Sequence, residues 1–161
     1  MDFYGVNVKD DITGEGTPDL GTVGDPFGTL YGEATSAQWG DLAEKYCSKE
    51  THDPGTVMCV TPDPEFDVQA SCQDLCPAVV GVISTWPGFK MNERMTEGQF
   101  VALTGLVPVK VVGKIKKSDF IVATVNGCAR AGKPEEIAHK IGVANSSNDS
   151  AAVKLVECII K

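Results

Sequence analysis

Residues 100–131, FVALTGLVPVKVVGKIKKSDFIVATVNGCARA, decide the fold class of this chain. Short runs rich in β-branched residues follow one another here, and glycine, proline, aspartate or asparagine bounds most of them, which is typical of an all-β domain. Val107, Val109 and Val111 alternate with other residue types. This alternation predicts a strand that turns one face toward a core and a mixed face outward.

A tight turn is predicted inside this stretch at Asn126-Gly127, between the runs FIVAT and CARA. Asparagine followed by glycine is the dipeptide that best tolerates the positive φ angles of a two-residue hairpin turn. The two runs are therefore expected to pair as a β-hairpin.

The same pattern extends in both directions from this stretch. Upstream, TVMCV and AVVGVIST are further strand-like runs that begin at Thr56. Downstream, PEEIA predicts a short helix with proline at its first position and acids at its positive end, followed by the strand IGVA and the polar turn NSSNDS. The chain closes on VKLVECIIK, a hydrophobic strand that must be paired inside a sheet or at a subunit interface.

The N-terminal residues 1–35 have a different composition, poor in large aliphatic side chains and rich in glycine, aspartate and threonine. Such a segment cannot build an autonomous core, so we expect an extended assembly arm for residues 1–35 and a β-rich domain for residues 36–161. Isolated apolar side chains in the arm and just after it favour packing on neighbouring subunits: Leu20, Phe27, Leu30, Tyr31 and Trp39.

Between the arm and the strand-like runs, residues 37–46, AQWGDLAEKY, predict the first helical turns of the domain. Trp39, Leu42, Ala43 and Tyr46 are spaced so that they can share one face of a helix. The transition from arm to domain is therefore expected to be helical.

The composition excludes several classes of function. The 161 residues carry a net charge of −8 and 42% hydrophobic residues, which fits one folded soluble domain. Because the basic residues are not gathered into one block, we expect neither DNA nor RNA as a partner. No stretch approaches the roughly 20 apolar residues that span a bilayer. The N-terminus, MDFYGVNVKDD, has no apolar signal region, so we expect no membrane partner and synthesis in a cytosol.

Six cysteines raise the question of disulfides and metal binding. Cys59, Cys128 and Cys158 lie in or beside apolar runs and are expected to be small buried hydrophobic residues. Cys72 and Cys76, in SCQDLC, are close enough in sequence to bind one metal ion or to form one bridge, but structural zinc sites usually pair two such motifs. A zinc site, a local disulfide and free thiols all stay open; free thiols are favoured, and no metal or cofactor is expected.

Four segments, taken in order, resemble the C-terminal intramolecular-chaperone domains of phage tail spikes and neck appendages, the peptidase G2 type. DLGTVGDPFGTLYGEATSAQWGDLAEKY resembles the junction at which a fibre passes into the domain, and AVVGVISTWPGFKMN resembles the first core strand with its loop. FVALTGLVPVKVVGKIKKSDFIVAT resembles the central β-hairpin region, and IGVANSSNDSAAVKLVECIIK resembles the closing turn and strand. The resemblance covers the chain from about Asp19 to its end.

The resemblance implies a homotrimer and a place in the virion beside other virion proteins. Together with the strand pattern, it predicts a mainly β chain: a compact β-sandwich or β-clip-like domain with an extended N-terminal arm, trimeric. The expected function is that of a bacteriophage virion structural protein, a tail-fibre or spike-type or particle-decorating module without enzymatic activity. The alternative is a self-cleaving intramolecular chaperone domain that releases itself from a fibre precursor.

The alternative function implies one reaction, self-cleavage by acidic side chains near the fibre junction. Carried over to this sequence, the acidic motif falls on Asp41 and Glu44 in GDLAEKY. Two carboxylates three residues apart on a turn can share a face, and crowding can raise the pKa of one so that it donates a proton while the other accepts one. Helix capping or solvation is the competing interpretation. A junction built around asparagine is not matched, because Asn7 is the only asparagine before Asn92.

Other catalytic groups are sparse. His52 and His139 are the only histidines in the sequence, and neither Ser36 nor Ser118 has a histidine partner in its sequence context. The sequence therefore predicts no serine-type nucleophilic centre.

Overall fold

The structure is a computed structural model, and it describes residues 40–161. This part of the chain contains ten β-strands and one short 3-10 helix, which confirms the prediction of a mainly β chain. The strands are β1 (Asp41–Tyr46), β2 (Val57–Val60), β3 (Val68–Ala70), β4 (Val79–Ile83), β5 (Phe89–Met91), β6 (Gln99–Val111), β7 (Phe120–Ala123), β8 (Ala129–Ala131), β9 (Lys140–Ala144) and β10 (Lys154–Ile160). The 3-10 helix, Pro134–His139, lies between β8 and β9. No helix within residues 40–161 is long and apolar enough to cross a lipid bilayer.

All ten strands belong to one sheet, and the 13-residue strand β6 is at its centre. The first half of β6 pairs with β1 and β4, with β5 beyond β1 and with β2 and β3 beyond β4. The second half of β6 pairs with β10. From there β10 pairs with β9, β9 with β7 and β7 with β8. The circle closes where Ala129 of β8 pairs with Val111 of β6. These five strands close into a small barrel. The sheet is therefore barrel-like, and the expected β-sandwich or β-clip is corrected to one continuous sheet that closes on itself.

The core confirms the alternation predicted for the middle of the sequence. Val107, Val109 and Val111 are buried, and they belong to a large cluster that also contains Ile121 and Cys158. A second, smaller cluster is made of Met58, Val68, Ile83 and Val101 from β2, β3, β4 and β6. The second half of β6 and β10 bury alternate side chains, whereas β2, β4 and the first half of β6 contribute side chains to both clusters.

Three local predictions are confirmed. The runs FIVAT and CARA form the antiparallel pair β7–β8, and Asn126 and Gly127 have φ angles of 58° and 65°. The predicted short helix is the 3-10 helix Pro134–His139, which leads directly into β9. The hydrophobic C-terminal strand β10 is paired on both sides, with β6 and with β9.

Two expectations about secondary structure are wrong. Residues 41–46 form β1 and not a helix, because β1 is hydrogen-bonded to β6 and β5, and this pairing outweighs a local spacing that also suits a helix. The central region does not form a hairpin between β6 and β7, because β7 pairs with β8 and β9. The runs FVALTG and VPVKVVG instead join into the single strand β6.

Gly105 lies where the two halves of β6 meet. It has a φ of 120°, which side chains rarely permit, and it pairs with both Asp41 of β1 and Ile160 of β10. A Cβ atom at this position would lie 2.5 Å from the Gly40 oxygen and 2.6 Å from the Asp41 Cα atom. Only glycine therefore lets β1 and β10 reach the same point of β6.

Gly105→Ala should destabilise the domain more than Gly113→Ala does. Both glycines have a positive φ, but a Cβ at Gly113 would meet nothing within 4 Å. The Gly113 variant carries only the conformational cost, about 1 kcal/mol. The Gly105 variant adds a backbone clash, and we expect a loss of about 3 kcal/mol in the free energy of unfolding, measured with urea. Equal losses in the two variants would contradict a close approach of β1 to Gly105.

Candidate functional site

The structure separates the two acidic residues that the sequence placed on one face. Asp41 and Glu44 are both in β1, where successive side chains point to opposite faces, so residues three apart lie on opposite sides of the sheet. Glu44 accepts a hydrogen bond of 2.8 Å from the Tyr46 hydroxyl, two residues along on the same face. This bond and burial raise the pKa of Tyr46 to about 12. The predicted carboxylate pair is therefore corrected to two separate acids.

Asp41 is the unusual member of that pair. It is only 6% exposed, and its Oδ2 atom is buried without a hydrogen-bond partner among the described residues. The main chain around it is held firmly, since the Gly88 N–H donates to the Asp41 carbonyl at 3.0 Å and the Leu106 N–H donates to the neighbouring Gly40 carbonyl at 2.9 Å. A buried carboxylate oxygen without a partner is costly, and such an atom is a candidate for binding or proton transfer.

A second candidate is a row of apolar side chains on the outer surface of the barrel. Leu106 of β6 pairs with Ile159 of β10, Ile159 pairs with Val143 of β9, and Val143 pairs with Phe120 of β7. Direct partners on neighbouring strands share a face, so these four side chains form a continuous band across four strands. We call Leu106, Ile159, Val143 and Phe120 the apolar row.

The apolar row is partly exposed in the described part of the chain. Leu106 is 43% exposed and Ile159 is 42% exposed, while Val143 and Phe120 are partly buried. Leu155, also in β10 and on the same face as Ile159, is exposed as well. Contiguous apolar side chains on an open face of a sheet are typical of surfaces that another chain covers.

The described part of the chain begins at one end of the apolar row. Gly40 is the first described residue, and its carbonyl accepts the hydrogen bond from the Leu106 N–H. The residues predicted as an oligomer interface from the sequence lie outside the described residues: Leu20, Phe27, Leu30, Tyr31 and Trp39. The sequence signal for the apolar row was the apolar outer positions of the closing strand, but only the pairing with β9 and β7 reveals a continuous band.

One arginine, Arg130 of β8, links three segments of the barrel. Arg130 of β8 donates two hydrogen bonds to the Asp74 carboxylate, at 2.8 and 2.7 Å, and two to the Glu136 carboxylate, at 2.8 and 2.9 Å. These bonds hold the pKa of Glu136 at about 2 and lower the pKa of Asp74. Arg130 thus ties the loop before β4 and the 3-10 helix to the β7–β8 hairpin.

A small cavity of about 300 Å³ lies beside the end of β1 and is lined by residues that include Ser48, Phe66 and Gln99. At this place the Ser48 Oγ atom lies 3.1 Å from the His52 Nε2 atom, a contact that sequence reasoning missed although the two residues are only four apart. The Gln99 side chain holds the main chain of His52: its Oε1 atom accepts a hydrogen bond from the His52 N–H at 2.7 Å, and its Nε2 atom donates one to the His52 carbonyl at 2.8 Å. No carboxylate among residues 40–161 is hydrogen-bonded to His52, so the pair lacks the group that orients the base in hydrolases.

All six cysteines are free thiols in the structure. Cys59, Cys128 and Cys158 are buried, as predicted, and burial raises the pKa of Cys59 and of Cys158 to about 12. Within the described residues no cluster of three or more histidine, cysteine, aspartate or glutamate side chains has the geometry to hold a metal ion.

No protein-family model and no curated protein matches the chain. Its fold is similar to that of two solved structures. One is the pre-mature gene product 12 of bacteriophage phi29, 14% identical with a TM-score of 0.57 over 77% of this chain and 22% of that one. The other is the C-terminal fragment of the same gene product, 15% identical with a TM-score of 0.55 over 75% of this chain and 100% of the fragment. The chain thus spans about a fifth of the pre-mature protein. The likeness concerns the fold.

Arg130→Met should lower both the stability of the domain and its dependence on pH. The pKa of Glu136 falls from its ordinary value of 4.5 to about 2 on folding, so this carboxylate stabilises the fold above about pH 4.5 and the stabilisation is lost as the pH falls toward 2. We expect the variant to melt roughly 5 °C lower at neutral pH and to lose less stability than the parent between about pH 5 and pH 2.

The matched control is Lys90→Met, which removes the exposed pair between Lys90 and Glu93, 3.5 Å apart. Exposed pairs contribute little, so the control should melt close to the parent. Scanning calorimetry across the pH range checks both variants. A parent and an Arg130→Met protein with parallel stability curves would contradict the assigned role of Arg130.

Proposed function

We propose that this chain is a structural module of a bacteriophage virion, a homotrimer of the tail-fibre or spike type or a particle-decorating protein, without enzymatic activity. The observation that carries the proposal is the apolar row, Leu106, Ile159, Val143 and Phe120, which is partly exposed in the part of the chain that the structure describes. The fold shared with gene product 12 of bacteriophage phi29 supports a virion protein, and so does the order of segments in the sequence that resembles the peptidase G2 type.

The occupant proposed for the apolar row is a second copy of this chain. About 39 residues precede Gly40, and the chain joins the domain beside Leu106, at one end of the row. In this proposal the apolar side chains that the sequence predicts for the arm take part in the same interface as the row. Covering the exposed parts of Leu106 and Ile159 contributes about 1 kcal/mol each per subunit, and these contributions add up around a three-fold axis.

The partners proposed for the trimer are other virion proteins. The net charge of −8 and the absence of a basic block in the sequence argue against a nucleic acid, and a membrane partner is not expected. The location that follows is the virion, after synthesis in the host cytoplasm.

Replacing the centre of the apolar row by acids should dissociate the oligomer. We expect the double variant Leu106→Glu and Ile159→Glu to be monomeric. Each copy would bring two glutamates into the interface, so a trimer that buries the apolar row would bury six like charges. Val60→Glu is the matched control, since Val60 is exposed in β2 and lies outside the row. Light scattering after size exclusion gives the mass, and circular dichroism shows that each variant stays β-rich. A full-length protein that is monomeric at micromolar concentration contradicts the proposal.

Deleting residues 1–35 tests whether the arm contributes to the trimer in addition to the apolar row. We expect the truncated protein to remain folded, because its buried clusters are drawn from residues after Gly40, and we expect its trimer to be looser. Sedimentation at several concentrations measures the change. A truncated protein that is as strongly trimeric as the parent would place the interface on the apolar row alone and remove the arm from assembly.

A second candidate function, single-turnover self-cleavage near the fibre junction, is favoured by one observation. Asp41 has a buried carboxylate oxygen without a hydrogen-bond partner among the described residues, and it lies at the start of β1, the first strand of the described chain. Glu44 is on the opposite face of β1 and does not share this environment, so in this proposal Asp41 acts without it.

The mass of the purified chain distinguishes the two candidates. We expect one full-length species that stays unchanged on storage, which supports the structural role. A product that begins between Thr35 and Asp41 would instead support self-cleavage, and Asp41→Asn should then abolish that product, because an amide cannot exchange the proton. Thr35→Ala is the control for a change at the junction that leaves the carboxylate in place.

A further inference from the structure

The loop between β1 and β2 is anchored at both of its ends. At the first end, the Cys47 N–H donates to the Asp67 carboxylate at 2.8 Å. The Cys47 carbonyl accepts hydrogen bonds from the Asp67 N–H at 3.0 Å and the Val68 N–H at 3.1 Å. At the second end, the Gln99 side chain holds both main-chain groups of His52. The segment between these anchors is therefore held in position before any molecule binds to it.

Within this segment, Ser48 and His52 have the geometry of a nucleophile and its base. The Ser48 Oγ atom lies 3.1 Å from the His52 Nε2 atom, a distance at which a general base can take a proton. Nε2 is also the nitrogen that faces the nucleophile in serine hydrolases. A hydroxyl that donates to a histidine in this way is a stronger nucleophile than a serine hydroxyl without such a partner.

Ser48 also faces a space that a small molecule can enter. It lines the cavity of about 300 Å³ together with Phe66, so a molecule bound there lies beside both the hydroxyl and an apolar ring. Lys49 and Glu50 line the same cavity, and within residues 40–161 their main-chain N–H groups donate no hydrogen bond to another residue. Free N–H groups next to a nucleophile are the donors that stabilise an oxyanion during acyl transfer.

The charges around the cavity limit which molecules it accepts. Glu50 and Glu97 each contribute a negative charge and Lys49 contributes a positive one, so the lining is negative overall. This charge disfavours an anionic acyl donor such as an acyl phosphate. The volume is at the lower limit for small-molecule sites, and Phe66 favours an apolar group. An uncharged ester with a short acyl group fits both conditions.

We propose that Ser48 is an acylation site that takes one short acyl group from an uncharged, activated ester. The Ser48 Oγ atom attacks the carbonyl carbon of the ester while its proton passes to the His52 Nε2 atom. The bond between that carbon and the leaving oxygen then breaks, and the leaving alcohol takes the proton from His52. One C–O bond forms and one breaks without any change in oxidation state, so atoms and electrons balance.

The reaction stops at the acyl-serine. An activated ester has a good leaving group, whereas the acyl-serine is an ordinary ester, so the attack of water on it demands more of the base. No carboxylate among residues 40–161 is hydrogen-bonded to His52 to orient its ring for that second step. The acyl group therefore stays on Ser48 as a modification, without enzymatic turnover. This proposal is independent of the apolar row and of trimer formation.

4-Nitrophenyl acetate is the probe for the full-length protein. We expect a rapid release of one equivalent of nitrophenolate per chain and one acetyl group on Ser48 in a proteolytic peptide map. Ser48→Ala should abolish this adduct. His52→Gln should slow its formation roughly 100-fold, the smaller effect of removing a general base. The Gln99 side chain bonds only main-chain groups of residue 52, so these bonds persist in that variant. Acetyl phosphate should acetylate Ser48 more slowly than the ester does.

Ser84→Ala and His139→Gln are the matched controls, since both side chains are half-buried and neither belongs to the cavity of about 300 Å³. Both variants should react as the parent does. The peptide map of the unsubstituted protein keeps the test valid even if a variant fails to fold. An acetyl group on Cys47 or Lys49 in place of Ser48 would overturn the proposal. So would equal rates in the parent and the variant at position 52, or acetyl phosphate that reacts as fast as the ester.

Discussion

The structure depends on one constraint: a single strand, β6, has to serve two groups of strands. Its first half is paired with β1 and β4, and its second half closes the barrel with β10 and β8. The chain meets this requirement at Gly105, where the main chain takes a φ of 120° and the neighbouring backbone approaches too closely for any side chain. Because both halves share β6, neither the barrel nor the outer strands can shift register without disturbing the other.

Closing the barrel also determines which apolar side chains are left outside. Val107 and Cys158 point inward and are fully packed, so their neighbours Leu106 and Ile159 must point outward. The result is the apolar row, whose members Leu106 and Ile159 are exposed in the described part of the chain. The buried core and the apolar row thus follow from the same alternation.

Gly40 and Asp41, at the start of the described chain, lie beside both Gly105 and the apolar row. Gly40 is bonded to Leu106 at the end of the apolar row, and the next residue, Asp41, is close to Gly105 with a buried oxygen that has no hydrogen-bond partner among residues 40–161. A polar group in that condition destabilises the domain by roughly 1–3 kcal/mol. The burial of Asp41 therefore carries a cost that the described residues do not offset.

The sequence by itself determined the β class, the inward valines of β6, the turn at Asn126-Gly127 and the short helix after Pro134, because each depends on residues close together in the chain. Only the tertiary structure decided the rest. Residues 41–46 suit a helix by spacing and become a strand because β6 offers them hydrogen-bond partners about sixty residues away. The same long-range pairing separates Asp41 from Glu44 and aligns Leu106 with Phe120 across four strands. Periodicity specifies which face a residue takes, but it carries no information on which distant strand will lie beside it.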